Sequence, residues 1–283
     1  MYYGIITIAS LMFSMQFLFN QQFEKECGSS TRSSLIFTIG SSLAGTVLLL
    51  IINKFRFEFT LFTLVMSVVS SLNGLLYAIC SMKAFGKINL SLYSIFAMLG
   101  GMALPFVAGI LFFNEALTIG KCVCFVLIAV SLFLTFERGK SKNGLIYYVG
   151  IFVLNGMSGV LAKIFQAAPY EKTSDAGYSI LSAVVTVVMT AIMLLFTRGP
   201  KIKISVKSAL NMFGNGALGR VANYLLLIAL AHLPASAQYP MITGGVMIFS
   251  TVICFFTPNK PSKREIISII ISFAGIMALI MLP

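Results

Sequence analysis

Charge is scarce in this sequence. Only 10% of its 283 residues are Asp, Glu, Lys or Arg, and only 8 are acidic, whereas a soluble domain carries about 25% charged residues. There is 1 histidine, His232, and a single aspartate, Asp175, which excludes a multi-histidine metal site and an aspartyl dyad. Neither HExxH nor GxxxxGK[ST] occurs, so neither zincin nor P-loop chemistry has its ligands. No metal and no cofactor is expected. The cysteines, Cys27, Cys80, Cys122, Cys124 and Cys254, are odd in number and form no CxxC pair; they are read as small apolar packing residues rather than a disulfide framework.

What fills the chain is apolar. Hydrophobic residues make up 58% and the mean hydropathy is +0.97. Apolar runs recur at about 3–22, 34–53, 61–82, 89–112, 120–137, 144–165, 175–197, 206–231, 235–256 and 264–282, each matching the length that crosses a hydrocarbon core of about 30 Å. In lipid, backbone groups must pair within their own segment, so each run is predicted to be a helix. The first run lacks a basic leader and a cleavage site and is expected to be a retained helix. The expected class is an all-α integral membrane protein with ten transmembrane helices and short connections.

The formal net charge is +12, but its distribution argues against nucleic acid. The odd-numbered connections hold fourteen of the 20 Lys and Arg, the even-numbered ones four, and Lys163 and Arg220 fall inside predicted helices. By the positive-inside rule the richer side is cytoplasmic and both termini lie outside. Most of this charge is an orientation signal beside anionic lipid. A bacterial plasma membrane is the expected location, with the lipid bilayer and a small solute as partners and a monomer or homodimer as the assembly.

The chain also restarts in its middle. "NGLIYYVGIFVLNGMSGVLAKIFQ" echoes the opening "MYYGIITIASLMFSMQFLFNQQF": Tyr2-Tyr3 matches Tyr147-Tyr148 and Gln21 matches Gln166, at a spacing of 145. "SLYSIFAMLGGMALPFVAGILFF" parallels "AQYPMITGGVMIFSTVICFF", and "LTIGKCVCFVLIAVSLFL" parallels "PSKREIISIIISFAGIMALI" at a spacing of 144. Three echoes in the same order predict a tandem duplication, 1–142 and 143–283, within one transmembrane domain. Five helices per copy is odd, so the second copy enters the membrane from the opposite side. The two repeats are therefore expected to be inverted, a construction common among secondary transporters.

These features resemble the drug/metabolite transporter superfamily, in its EamA-like ten-helix branch. The resemblance is carried by "FFNEALTIGKCVCFVLIAVSLFL", with Glu115, Leu117, Thr118 and Ser131, and by "LAHLPASAQYPMITGG", and it spans essentially the whole chain. The second half departs from the pattern, with Asn259 where its Glu would fall and Pro258 beside it. The resemblance implies a solute carrier working by alternating access without ATP hydrolysis, and does not name the solute. Small multidrug-resistance relatives exchange protons for cationic drugs on a first-helix carboxylate; here that helix offers Gln16, Asn20 and Gln21 and no acid in its core.

Candidate site residues are the polar groups inside the runs. Arg220 lies near the middle of the eighth, where an arginine costs ~2.5–3.5 kcal/mol on insertion scales and should face protein or water. Asn215, Gly216, Gly219, Arg220 and Asn223 share one helical face. Further stripes carry Asn73 and Tyr77 on the third helix, Asn155 and Lys163 on the sixth, and Tyr239 on the ninth; Tyr93 lies in the fourth. Small residues on such stripes also serve plain helix packing, and Lys163, near a helix end, could snorkel. The substrate-binding candidates are Arg220, Lys163, Asn73, Tyr77, Tyr93, Asn155, Asn223 and Tyr239. With two basic candidates and no buried acid, an anionic or zwitterionic solute is expected. An exporter of cationic or neutral compounds is the alternative. "GMSG" (156–159) matches a rhomboid-protease nucleophile motif, but it sits inside the repeated segment and the sole histidine ends a different helix, so no enzyme is expected.

Overall fold

The computed structural model describes residues 1–28, 30–85, 90–134, 145–199, 202–256 and 261–282; the side chains of residues 17, 82–85, 90–95 and 145 are outside the description. Among these residues the chain forms ten α-helices and no strand: α1 Tyr2–Cys27, α2 Thr31–Ile52, α3 Leu61–Phe85, α4 Leu90–Phe112, α5 Ile119–Leu134, α6 Leu145–Ala167, α7 Asp175–Phe196, α8 Val206–Leu230, α9 Ala235–Cys254 and α10 Lys263–Met281. Eight of them are long and apolar enough to cross a membrane, and the described parts of α4 and α5 are shorter apolar helices. The protein is an all-helical integral membrane protein.

Local chemistry sets the helix starts. Ser30, Ser174, Ser205 and Ser262 each accept a hydrogen bond from a backbone N–H three residues on, at the heads of α2, α7, α8 and α10. These bonds satisfy N–H groups that a helix cannot pair internally. At α10 the Glu265 carboxylate also accepts from the Ser262 N–H at 2.6 Å, completing a capping box. α1 continues past its expected end at 22 through Glu24, Lys25 and Glu26 to Cys27; there Glu26 pairs with Lys207 at 2.9 Å. A helix that has left the lipid needs no apolar residues to persist, so hydropathy alone placed its end too early.

Eight helices close into a ring in the order α1, α8, α2, α7, α3, α6, α4, α9 and back to α1. Helices from before residue 135 and after residue 144 alternate around it. α5 and α10 pack on each other outside the ring, against α9, with α5 also touching α4. Two glycines permit the tightest crossings. A Cβ on Gly216 of α8 would overlap the carbonyl oxygen of Ser41 on α2, and one on Gly100 of α4 would overlap that of Phe152 on α6. In lipid, where packing rather than apolar burial drives helix association, such close approach is what holds helices together.

Both chain ends share one face, here the terminal face. Tyr2 stacks on His232 with ring centroids 4.2 Å apart. The connection before α3 reaches the start of α7, where the Glu58 carboxylate accepts from the Ser174 N–H at 2.6 Å and hydroxyl at 2.8 Å. On the opposite face lie the Glu26–Lys207 pair and a 3.4 Å hydrogen bond from Arg32 to the carbonyl of Thr197.

Candidate functional site

The ring encloses a cavity of about 580 Å³, within the roughly 300–1,000 Å³ of small-molecule sites. Every ring helix lines it, through residues such as Phe13, Thr38, Ser70, Gly101, Asn155, Tyr178, Arg220 and Tyr239. The described residues of α5 and α10 do not contribute. Gly74, Ser158 and Asn223, on the middle turns of α3, α6 and α8, are solvent-exposed although they line it. Toward the terminal face the lining is buried, through Tyr178, Ser179, Ser182, Leu227 and Leu230.

A plug seals that end. Met66, Leu161, Phe165, Tyr178 and Leu227 form one apolar cluster, in which the rings of Phe165 and Tyr178 stack at 4.0 Å. The Gln166 amide ties the helix ends together above it, donating to Asp175 Oδ1 at 2.6 Å and to the Leu227 carbonyl at 3.0 Å.

Arg220 stands on the cavity wall. Its stem crosses Gly45 of α2, where a Cβ would collide with Arg220 Cγ, and its Nη2 donates to Ser42 Oγ at 3.0 Å. That is its one hydrogen bond among the described residues, though a guanidinium carries five donors. The ion pairs among the described residues are Lys163–Glu115 and Lys207–Glu26, so Arg220 has no carboxylate there. Among the described residues no carboxylate lines the cavity at all.

Four of the eight predicted site residues meet in this cavity: Arg220, Asn155, Asn223 and Tyr239. Asn155 donates to the Ala97 carbonyl at 2.6 Å, Asn223 to the Gly219 carbonyl at 2.7 Å, and the Tyr239 hydroxyl to the Gly159 carbonyl at 3.1 Å. Asn73, Tyr77 and Lys163 lie elsewhere. Asn73 sits behind the wall, its amide donating to the Leu154 carbonyl at 2.9 Å and to Ser158 Oγ at 3.0 Å, so it positions a lining hydroxyl rather than lining. Tyr77 packs against the cluster of Ala97, Tyr148 and Ile151. The side chain of Tyr93 lies outside the described residues.

Lys163 is taken by an acid. Its Nζ lies 2.7 Å from Glu115 Oε1, with both side chains largely buried, and 5.6 Å from the centroid of Phe113. Glu115, in the connection between α4 and α5, is more than a counter-ion. Its carboxylate also accepts from the N–H groups of Ala235 and Ser236 and from the Ser236 hydroxyl, at 2.6–2.8 Å, and so caps α9 from another part of the chain. Burial alone would raise the Glu115 carboxyl; the ammonium of Lys163 and the donors at 235 and 236 outweigh it and hold the group below its ordinary 4.5.

One wall went unpredicted. Tyr178, Ser179, Ser182 and Thr186 of α7 line the cavity together with Ser71 of α3, joined by Ser70–Tyr178 and Ser71–Thr186 hydroxyl contacts of 2.7 and 3.0 Å. The spacing of Tyr178, Ser182 and Thr186 by four puts them on one helical face, a signal present in "YSILSAVVT" but shared with ordinary packing hydroxyls. In the "GMSG" segment, Ser158 bonds to Asn73 and Leu154, while His232 stacks on Tyr2.

No family model matches the chain, and no curated protein matches it. Chains of solved structure do match: one crystal structure of a protein aligns with a TM-score of 0.79 and 14% identity, covering 98% of this chain and 95% of that one. The likeness is one of fold.

Proposed function

We propose that this chain is a secondary-active solute carrier of the drug/metabolite transporter superfamily, EamA-like branch, moving a small anionic or zwitterionic metabolite by alternating access. The observation that carries the proposal is Arg220: a guanidinium with no counter-ion among the described residues, on the wall of a cavity enclosed by eight helices. An intramembrane charge is expensive to hold, and a carboxylate or phosphate meeting it in bidentate fashion would recover that cost. A described lining without a carboxylate favours this over the export of cationic compounds.

The order of the ring supports two inverted repeats. Exchanging α1 with α6, α2 with α7, α3 with α8 and α4 with α9 returns the same set of ring neighbours all the way round. Such a pair of halves offers two equivalent closures, one at each face. The buried lining and plug on the terminal face fit the closure there, and the Lys/Arg distribution makes that face the outer one, in a bacterial plasma membrane.

Thermal unfolding of the detergent-purified protein with acidic, zwitterionic, neutral and cationic metabolites tests the reading. A ligand at 100 times its Kd adds about 2.7 kcal/mol. Acidic or zwitterionic compounds should raise the Tm of the wild type and leave that of Arg220→Ala unmoved. Equal stabilisation of both proteins by cations would transfer the assignment to a cation exporter.

A further inference from the structure

We propose that the solute is a hydroxylated organic monoanion: one acidic group for Arg220, and neutral hydroxyls on the rest of the molecule. This rests on the carrier reading and on Arg220 as the anchor, and it narrows the solute class that reading leaves open.

The first step is charge. Lys163 is paired with Glu115 and does not line the cavity. Buried Lys121 bonds to the carbonyl of Ala116, half-buried Lys172 bonds to those of Phe165 and Gln166, and both lie outside the lining as well. The described wall therefore holds a single cation, Arg220. A second acidic group would enter a low-dielectric site without a partner, which costs several kcal/mol by order of magnitude. An ammonium group would bring a second positive charge beside Arg220, again with no carboxylate in the described lining to balance it. One negative charge and no positive one is the composition the wall accepts.

The second step is the direction of the hydrogen bonds. Asn155, Asn223 and Tyr239 donate to backbone carbonyls, and Ser179 and Thr186 donate to those of Asp175 and Ser182 at 2.8 and 2.7 Å. Ser71 has its hydrogen engaged by Thr186 or by the Ser182 carbonyl. These hydroxyl hydrogens are committed to protein oxygens, whereas Asn155 and Asn223 each keep a second Nδ2–H and an Oδ1 without a partner among the described residues, and the hydroxyl oxygens keep acceptor capacity. Apart from Arg220, the polar wall presents these oxygen acceptors together with the second amide hydrogens of Asn155 and Asn223 and the hydroxyls of Ser34 and Thr243. A solute that fills it without stranding them must carry groups that both donate and accept, because each buried donor or acceptor left unpaired costs about 1–3 kcal/mol. Neutral hydroxyls do both without adding charge.

The test is isothermal titration of the purified wild type with gluconate, lactobionate, hexanoate, 6-aminohexanoate and glucarate, with Arg220→Ala alongside. At least one hydroxy acid should bind, with hexanoate and 6-aminohexanoate at least tenfold weaker, and with glucarate weaker than gluconate. Asn155→Leu and Asn223→Leu, checked for unchanged elution as a single folded species, should shrink the preference for hydroxy acid over hexanoate without weakening hexanoate. Hexanoate binding as tightly as both hydroxy acids, or 6-aminohexanoate or glucarate binding more tightly, overturns the inference while leaving an anion carrier in place. Binding that is the same in Arg220→Ala, or no anion binding to the wild type, overturns the anchor and carrier reading itself.

Discussion

Arg220 and Lys163 look alike in the sequence, each a basic residue inside an apolar run, yet the fold places them differently, one on the cavity wall and one in an ion pair. The cost of a mid-membrane guanidinium is a property of one residue and its surroundings, so Arg220 was legible. The partner of Lys163 is Glu115, distant along the chain, and no local pattern announces that contact. Arg220→Lys should keep the charge and lose the planar fork that meets an oxyanion bidentately, weakening anion binding by about tenfold where Arg220→Ala abolishes it; titration of the two variants with one acid separates charge from geometry. For Glu115 the sign of the pH effect is set by a folded-state value held below 4.5. Its contribution to stability is complete above that pH and lost as pH falls through the lower folded value. Unfolding midpoints should drop on acidification below pH 4.5, and Glu115→Gln should remove part of that dependence.

The apolar runs located all ten helices to within a few residues, because length and hydropathy are what lipid demands of a span. Their neighbours were not legible. The contact of α8 with α2 turns on Gly216 meeting a carbonyl of Ser41, and nothing in either segment names the other. Glu115 shows what such contacts add: one carboxylate joins the α4–α5 connection to the start of α9 and to α6. In the proposed repeat the positions matching Glu115 and Lys163 are Asn259 and, at the 145 spacing, Leu18, so this charge pair has no counterpart in the sequence. In the proposed carrier such a one-sided latch would favour closure of the terminal face. Glu115→Leu should lower stability by about 2–3 kcal/mol, since it unpairs Lys163 and uncaps α9 together. Lys163→Met, which leaves the cap intact, should cost less. Denaturation of both variants in one detergent ranks them, and the reverse order would remove Glu115 as the centre of the latch.

The eight-helix ring brings together a cavity that no segment contains. Arg220, Asn155, Asn223 and Tyr239 come from three helices spread along the second half of the chain, and the α7 hydroxyls that complete the wall resemble packing residues until the ring closes. The echo between the opening and the middle of the sequence is what the proposed inverted repeat explains: halves related in that way would interleave and place their polar stripes face to face. The most direct measurement is counterflow in proteoliposomes. Vesicles holding wild-type protein and an unlabelled hydroxy acid identified by titration are diluted into trace labelled acid, with Arg220→Ala vesicles in parallel. A carrier anchored on Arg220 predicts transient, saturable accumulation of label in wild-type vesicles and none in the variant. Accumulation in both, or flux in the wild type that never saturates, would contradict it.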